Sequence, residues 1–483
     1  MSVKVRFAPS PTGYLHVGGL RTALYNYLFA RHNGGKMVLR IEDTDRTRFV
    51  EHAQENLIKM LQWAGIEIDE GPGFGGDCGP YVQSERFDLY TKYANELLDA
   101  GKAYYAFDTA EELEEMRTRL QSGTKGDYRY DRKNMRNSLT LAADEVEKLI
   151  ADGTPHVIRM LVPENENIIF HDLIRGEVKI NSQEVDDQIL IKSDGFPTYH
   201  LANVVDDHLM KITHVIRGEE WLPSTPKHCI LYRAFGWEEP LFAHLPLLLN
   251  KDKTKLSKRQ GSVAVEDFKL KYNRDAFVNF VALLGWNPSG DREIYDMNEL
   301  IELFNLEKVN KAGAVFDTQK LDWYNFQYLQ KLTPKEMASE LADELKKREM
   351  PEMPEEYLEK VCVLVKERVN FIADIPDYAP YMLGDITEYE EKYLAKHWTK
   401  EKTPLMKELI ARLENSPEFN YEPMHELTKA YCEEKEVKLK EVIHPLRLMI
   451  TGKSIGAGMF ETMEVLGREE CSKRMKNFIE IYG

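Results

Sequence analysis

The apolar positions near the amino terminus predict a strand, a helix and a second strand. The runs at 3–8 and 37–41 are typical of short buried strands. Between them, one face repeats at the i, i+3, i+4 spacing of a buried helix: Leu20, Ala23, Leu24, Tyr27 and Leu28. Asn33-Gly34-Gly35 predicts the end of that helix. A strand, loop, helix and parallel strand in this order form half of a nucleotide-binding α/β fold.

The same kind of pattern returns after a less regular stretch at 99–195. The segment 214–217 is strand-like, a helix is predicted to begin at Pro226 and to run to Gly236, and 241–249 is apolar again. We therefore expect one α/β domain that is interrupted by an insertion.

Past residue 330 the pattern becomes helical. Thr333-Pro334-Lys335-Glu336 is a capping box with proline at the first helical position. Met337, Leu341 and Leu345 then recur every four residues on one face. The predicted division of the chain is 1–98, 99–195, 196–239, 240–330 and 331–483, the last of which we expect to divide again near 390.

Composition and charge change this picture little. The chain has 483 residues, of which 43% are hydrophobic and 30% charged, which is typical of a globular protein. Its 64 basic and 81 acidic residues give a net charge of −17. That balance argues against a protein that coats nucleic acid non-specifically, but it leaves room for a local basic face. One such stretch is 117–136, where the basic residues suit phosphates and we expect the interleaved Tyr128 and Tyr130 to stack on bases. We expect the acidic residues to lie on outward faces.

The five cysteines form no C-x-x-C pair, which argues against a disulfide framework and a zinc knuckle. No apolar run approaches the ~18 residues of a membrane helix, and no apolar core of a secretory signal follows Met1. These observations predict a cytoplasmic protein without a membrane partner.

Two loops carry candidate chemistry. The loop 8–19 joins the first strand to the first helix, where free backbone N–H groups and adjacent glycines suit a bound phosphate. The loop 251–261 is strongly basic and suits charge that builds on a leaving pyrophosphate. Taken alone, the first is also explained as a glycine-rich turn and the second as solvated surface.

Together the two loops resemble the paired signatures of class I aminoacyl-tRNA synthetases. His16-Val17-Gly18-Gly19 resembles their HIGH element, although it ends in glycine, and Lys255-Leu256-Ser257-Lys258-Arg259 resembles their KMSKS element. Further segments are similar to bacterial-type glutamyl-tRNA synthetases, densely over 1–330: Arg6–Gly13, Arg40–Asp45, Gln83–Arg86, Ser193–His208 and Arg217–Trp221.

The resemblance implies a Rossmann-type parallel-sheet catalytic domain with an α+β insertion that grips the tRNA acceptor end. It implies a stem-contact region at 240–330 and an all-α anticodon-binding region after it. The implied activity is that of a glutamate–tRNA ligase in translation: ATP activates L-glutamate to glutamyl-adenylate, pyrophosphate leaves, and glutamate passes to the 3′-terminal adenosine of tRNA(Glu).

The resemblance also implies ATP with Mg²⁺ and a monomer. Relatives that hold zinc do so through cysteines in the insertion, and the corresponding stretch 103–107 has none, so we expect no zinc. Two alternatives stay open: a non-discriminating enzyme that also charges tRNA(Gln), and a non-catalytic tRNA-binding homologue, against which His16, Lys258, Glu42 and Arg217 argue. The helical region after 331 counts against a shorter paralogue that glutamylates a tRNA base, and Arg217 counts against a glutaminyl enzyme.

The site residues that the resemblance implies fall into four groups. The catalytic groups are His16, Lys255 and Lys258, and the ATP contacts are His16, Gly18, Gly19, Glu220, Leu248 and Lys258. The residues of the glutamate pocket are Arg6, Ala8, Ser10, Glu42, Tyr199, Asn203 and Arg217. The two arginines suit the carboxylates of glutamate, and Glu42 suits its ammonium group. The tRNA contacts are Arg117, Arg119, Arg129, Arg132, Lys133, Arg136 and Arg368.

Overall fold

The computed structural model describes residues 2–44, 50–121, 129–256, 263–288 and 290–483. Its strands, in chain order, are β1 (Lys4–Phe7), β2 (Lys36–Leu39), β3 (Ala103–Ala106), β4 (Val157–Met160), β5 (Asn167–Asp172), β6 (Gly176–Asn181), β7 (Ile189–Ile191), β8 (His214–Gly218), β9 (Leu241–Leu245), β10 (Leu248–Leu249) and β11 (Ala314–Val315).

The chain forms two compact units, one of residues 1–270 and 274–318, the other of 271–273 and 319–483. The helices of the first unit are α1 (Val17–His32), α2 (Ala53–Trp63), α3 (Phe87–Asp99), α4 (Ala110–Gln121), α5 (Ala143–Ala151), α6 (Tyr199–Leu209), α7 (Thr225–Phe235), α8 (Val265–Lys269), α9 (Arg274–Ala282) and α10 (Met297–Leu303).

Parallel strands form the centre of the first unit. β1 pairs with β2, and β8 pairs with β9, in parallel register. A backbone bond from Thr213 N to Lys4 O, 2.8 Å long, brings β8 beside β1. Because the strands run the same way, their carboxyl ends meet at one edge, which is where open α/β sheets bind ligands.

The helix predicted near the amino terminus is α1, and the structure confirms its apolar face. Leu20, Ala23, Leu24 and Leu28 are fully buried, and Tyr27 is 5% exposed. The face also carries a polar anchor, since Asn26 Nδ2 donates to the carbonyl of Ile216 in β8 at 3.1 Å. This bond ties α1 to the sheet at the strand that leads into the predicted pocket.

The segment between the two halves of the parallel sheet has its own small antiparallel sheet, in the order β3-β4-β7. The hairpin β5–β6 belongs instead with the main sheet, because Asp172 at the end of β5 pairs with Phe242 in β9. The insertion is therefore α+β, as expected. The residue bounds drawn for it from sequence remain a prediction.

The second unit is helical. Its helices are α11 (Thr318–Leu329, whose first residue belongs to the first unit), α12 (Pro334–Lys347), α13 (Glu355–Val365), α14 (Ile375–Tyr378), α15 (Pro380–Leu383), α16 (Glu391–His397), α17 (Thr403–Glu414), α18 (Tyr421–Glu434), α19 (Leu439–Thr451), α20 (Met459–Leu466) and α21 (Arg468–Tyr482). The capping box is confirmed, since Thr333 and Glu336 each bond the other's backbone. One apolar cluster draws its buried residues from 329–383 and another from 393–478. A boundary near 390 fits these clusters but remains a prediction.

The described helices include none that is both long enough and apolar enough to span a bilayer.

Candidate active site

A cleft of about 850 Å³ opens at the carboxyl edge of the parallel strands. The loops that follow β1, β2, β8 and β9 line it, together with the first turn of α6. It gathers every residue predicted for glutamate or ATP that the structure describes: Arg6, Ala8, Ser10, His16, Gly18, Gly19, Glu42, Tyr199, Asn203, Arg217, Glu220, Leu248 and Lys255. Lys258 lies outside the described residues. The individual roles remain predictions.

The start of α1 presents backbone N–H groups to this cleft. His16 is the N-cap residue, and its Nδ1 accepts from the Gly18 N–H at 2.8 Å. A neutral ring that accepts at Nδ1 carries its proton on Nε2, so His16 has a donor for a phosphate oxygen. A Cβ at Gly18 would lie 2.6 Å from Cε1 of His16. Glycine is therefore required here for the histidine to cap the helix.

A buried network of opposite charges lies on one side of the cleft. Arg40, fully buried, is 2.7 Å from Asp207 and 3.0 Å from Glu42. Arg6 donates from Nε to Asp207 at 3.2 Å. Burial alone would raise the pKa of Asp207, but Arg40 and Arg6 together hold it below its usual value. Both Arg6 and Glu42 therefore reach the cleft with part of their charge already matched by protein groups.

Among the described residues, Glu42 takes part in this network through one carboxylate oxygen only. Arg40 and Asn203 both donate to its Oε1, Asn203 at 3.2 Å. Burial raises the pKa of Glu42, and the nearby Arg40 and Arg6 oppose that shift. An ammonium at Oε2 would favour the ionised carboxylate in the same way.

Arg217 has a different environment from Arg6. It lies in β8, is 5% exposed, and among the described residues its hydrogen-bond acceptors are all neutral. Nε donates to His244 at 3.1 Å, and terminal nitrogens donate to Tyr199 Oη at 3.0 Å and to Thr225 Oγ1 at 2.9 Å. The protein therefore fixes the orientation of the guanidinium without placing a described carboxylate in direct contact with it.

Tyr199 and Trp221 form an aromatic wall beside Arg217. Their ring centroids are 4.5 Å apart, and Trp221 is 40% exposed where it lines the cleft. Burial raises the pKa of Tyr199, so its hydroxyl stays protonated at neutral pH. A neutral hydroxyl and an indole face restrict the shape of a ligand without adding charge.

The basic loop enters the cleft from the β10 side. Leu256 N donates to Leu248 O at 2.9 Å, which fixes the first part of the loop beside the strand. Lys255 is exposed and lines the cleft, whereas Lys251 pairs with Asp317 at 2.9 Å. The predicted positions from Ser257 to Arg259 lie outside the described residues.

Four of the basic residues predicted to contact tRNA in the insertion, namely Arg117, Arg119, Arg132 and Lys133, pair with carboxylates through their side chains. Arg117 lies 3.2 Å from Glu114, and Arg119 lies 2.8 Å from Asp131. The remaining partners are Glu164 for Arg132 and Lys133, Asp187 for Arg132, and Asp108 for the backbone N–H of Arg136. Binding of a phosphate here would compete with these contacts. Arg129 is half-buried, and Arg368 is exposed in the second unit.

The stacking role expected for the two tyrosines of this stretch is wrong for Tyr130. Its ring is 7% exposed, and the guanidinium of Arg159 covers it at 3.8 Å from the centroid. Tyr130 belongs to a buried cluster of the insertion with Tyr104, Met116 and Met135, and its hydroxyl donates to Asp108. Tyr128 lies outside the described residues.

Sequence reasoning missed several residues that shape the cleft. They are Arg21, which lines the cleft itself, and the buried residues Asp172, Thr225, His228 and His244, which lie behind Arg217. Arg21 lines the cleft while it donates to the carbonyl of Leu284 at 3.3 Å. His244 is a single polar residue in the apolar segment 241–249, and its partner Asp172 is 72 residues away along the chain.

An open parallel sheet with a ligand cleft at its carboxyl edge and a capped helix start facing that cleft defines a nucleotide-binding α/β protein. Residues 2–323 match the family model described as tRNA synthetases class I (E and Q), catalytic domain, and residues 335–479 match the one described as anticodon binding domain. The chain belongs to the class I tRNA synthetases of this E and Q family.

Relatives match over nearly the whole chain. The glutamate–tRNA ligase of Chloroherpeton thalassium is 51% identical, and the alignment covers 99% of this chain and 98% of the relative. The glutamate–tRNA ligase of Chlorobaculum parvum is 49% identical with the same coverage. A crystal structure of a glutamate tRNA ligase from Elizabethkingia meningosepticum, in complex with its amino acid, is 42% identical, with a TM-score of 0.95 and full coverage of both chains.

Proposed function

We infer that the chain is a glutamate–tRNA ligase. The observation that carries this inference is Arg217, a buried guanidinium with neutral partners that borders the cleft and selects for a carboxylate ligand. Two glutamate–tRNA ligases that are 51% and 49% identical to this chain support the inference. The enzyme joins glutamate to ATP as glutamyl-adenylate with release of pyrophosphate, then transfers glutamate to the terminal adenosine of tRNA(Glu) with release of AMP.

We propose the following roles in the glutamate pocket. Arg6 and Arg217 pair with the two carboxylates, and Glu42 accepts from the ammonium through Oε2. The neutral groups Ser10, Tyr199 and Asn203 complete the hydrogen bonds, together with the backbone of Ala8. Two arginines, one partly neutralised and one not, suit a ligand with two negative groups and one positive group.

We propose that ATP lies along the start of α1. His16, Gly18 and Gly19 contact the phosphates, and Glu220 and Leu248 lie near the nucleoside. Lys255 and Lys258 stabilise the charge that builds on the departing pyrophosphate. We expect Mg²⁺ to arrive with the phosphates and water. The described part of the chain has no group of three or more His, Cys, Asp or Glu side chains suited to a metal.

Neither chemical step needs a covalent enzyme intermediate. The carboxylate oxygen of glutamate attacks the α-phosphorus of ATP, and the bond to pyrophosphate breaks. A hydroxyl of the terminal adenosine of tRNA then attacks the acyl carbon, and AMP leaves. The protein therefore contributes position and preorganised charge, which together supply most of the acceleration in reactions of this type.

For tRNA we propose that the insertion binds the acceptor end and that the second unit binds the anticodon. The anticodon-type match at 335–479 supports the second assignment. The basic residues of the insertion, together with Arg368, are the proposed contacts. We propose a cytoplasmic monomer that distinguishes tRNA(Glu) from tRNA(Gln).

Pyrophosphate exchange tests the assignment. The reaction is run with glutamate or glutamine, each with and without total tRNA, because activation in this family can require tRNA. We expect exchange with glutamate and not with glutamine. Exchange under no condition would refute the enzymatic function, and preference for glutamine would refute the substrate.

A further inference from the structure

Arg217 is surrounded by an acceptor cage, which we define as the hydroxyls of Tyr199 and Thr225, the carbonyl of Trp221, and the rings of His228 and His244. The five contacts lie between 2.9 and 3.4 Å from guanidinium nitrogens. A guanidinium only donates, so each of these groups must accept.

Asp172 determines which nitrogen of His244 accepts. Its Oδ2 lies 2.6 Å from His244 Nδ1, and both side chains are fully buried. Backbone N–H groups of Ile174 and Arg175 donate to the other oxygen at 3.0 and 2.9 Å. A carboxylate with these donors stays ionised and takes the Nδ1 proton as a hydrogen bond. His244 Nε2 is then left as a lone pair, which lies 3.1 Å from Arg217 Nε and also 3.1 Å from the Thr225 hydroxyl.

His228 has its acceptor side turned the same way. Its Nδ1 lies 3.4 Å from a terminal nitrogen of Arg217, and its Nε2 lies 3.2 Å from Nδ1 of His200. Since Nδ1 accepts from the guanidinium, Nε2 carries the proton and donates to His200. Burial lowers the pKa of His228 and of His244, which keeps both rings neutral.

The consequence is a buried cation that is held rigidly and bonded directly only to neutral groups. The carboxylate of Asp172 reaches it only through the ring of His244. Arg6 shows the alternative solution, since it pairs with Asp207 at 3.2 Å. A neutral acceptor orients a guanidinium as well as a carboxylate does, but it does not cancel the field that attracts an anion.

We propose that Asp172, His244, His228 and Thr225 are positioning residues that orient Arg217 through neutral acceptors and so reserve its charge for a carboxylate of the substrate. The identity of that substrate rests on the proposed function, whereas the tautomer of His244 does not. The first test therefore measures charge, and the second measures the tautomer.

The charge test compares Thr225→Asp with its matched control Thr225→Asn. The two side chains have nearly the same shape, and only aspartate neutralises Arg217. We expect Thr225→Asp to raise the KM for glutamate about 100-fold over Thr225→Asn, since an added anion neutralises Arg217 and repels the substrate carboxylate. The KM for ATP should be alike in the two variants. Equal KM values for glutamate would overturn the proposal.

The tautomer test uses histidine-selective ¹⁵N NMR, with the His244 signals assigned by their loss in His244→Gln. We expect a protonated Nδ1 and a bare Nε2 in the wild type, and the reverse in Asp172→Asn, whose amide donates to the ring. In the variant, His244 Nε2 carries the proton and so places an N–H donor against the N–H donor of Arg217. The KM for glutamate should then rise about 100-fold with little change in kcat. A protonated Nε2 in the wild type would overturn the proposal. A wild type with the expected tautomer but without exchange activity would refute the proposed function while still supporting the positioning of Arg217.

Discussion

Replacement of Arg217 by alanine removes a buried cleft arginine whose hydrogen-bond acceptors in the described structure are all neutral. The substrate carboxylate then enters a largely buried site without an opposite charge. Truncation of one partner of a buried charge pair costs about 3–5 kcal/mol. At about 1.4 kcal/mol per decade, kcat/KM for glutamate should fall between roughly 150- and 5,000-fold.

Pyrophosphate exchange with saturating ATP and tRNA measures this loss. The matched control is Arg217→Lys, which keeps a positive charge but cannot span the acceptors of His244, Tyr199 and Thr225. We expect an intermediate loss for lysine, and an unchanged KM for ATP in both variants. If Arg217→Ala kept wild-type kinetics with glutamate, the pocket assignment would be wrong.

Three further predictions concern other parts of the first unit. Arg40→Met should lower the free energy of unfolding by about 3–5 kcal/mol, because buried Asp207 loses a partner at 2.7 Å; an unchanged urea midpoint would contradict this. Lys258→Ala should slow adenylate formation by about 10²–10³-fold and leave tRNA affinity nearly unchanged, as measured by exchange and filter binding; equal loss of both would indicate misfolding instead. Burial lowers the pKa of His200 to about 3 and that of His228 well below 6.5. As pH falls from 6 to 5, the unfolded chain therefore binds these protons and the folded chain does not. The free energy of unfolding should fall over that range by about 1.4 kcal/mol per histidine. The fall should be less steep in His200→Gln.

Local features of this protein follow from its sequence alone. The apolar face of α1, the capping box at Thr333 and the end of α7 at Gly236 were all predicted, and each depends on residues within a few positions of one another. Gly236 adopts φ 70°, which glycine reaches without strain. The loops with candidate chemistry were also found from sequence, because parallel strands bring their carboxyl ends to one edge wherever they pair.

The partners of charged groups were decided only by the tertiary structure. Arg6 and Arg217 look alike in sequence, each in a short apolar strand, but Asp207 pairs with Arg6 from a helix near β8, whereas His244 and Thr225 surround Arg217. Tyr130 was misread for the same reason, since Arg159 covers it from β4, 29 positions along the chain. The spacing of apolar residues and the capping residues determine structure over one or two turns of a helix. The field at a buried charge depends on every group within several ångströms, whatever its position in the sequence.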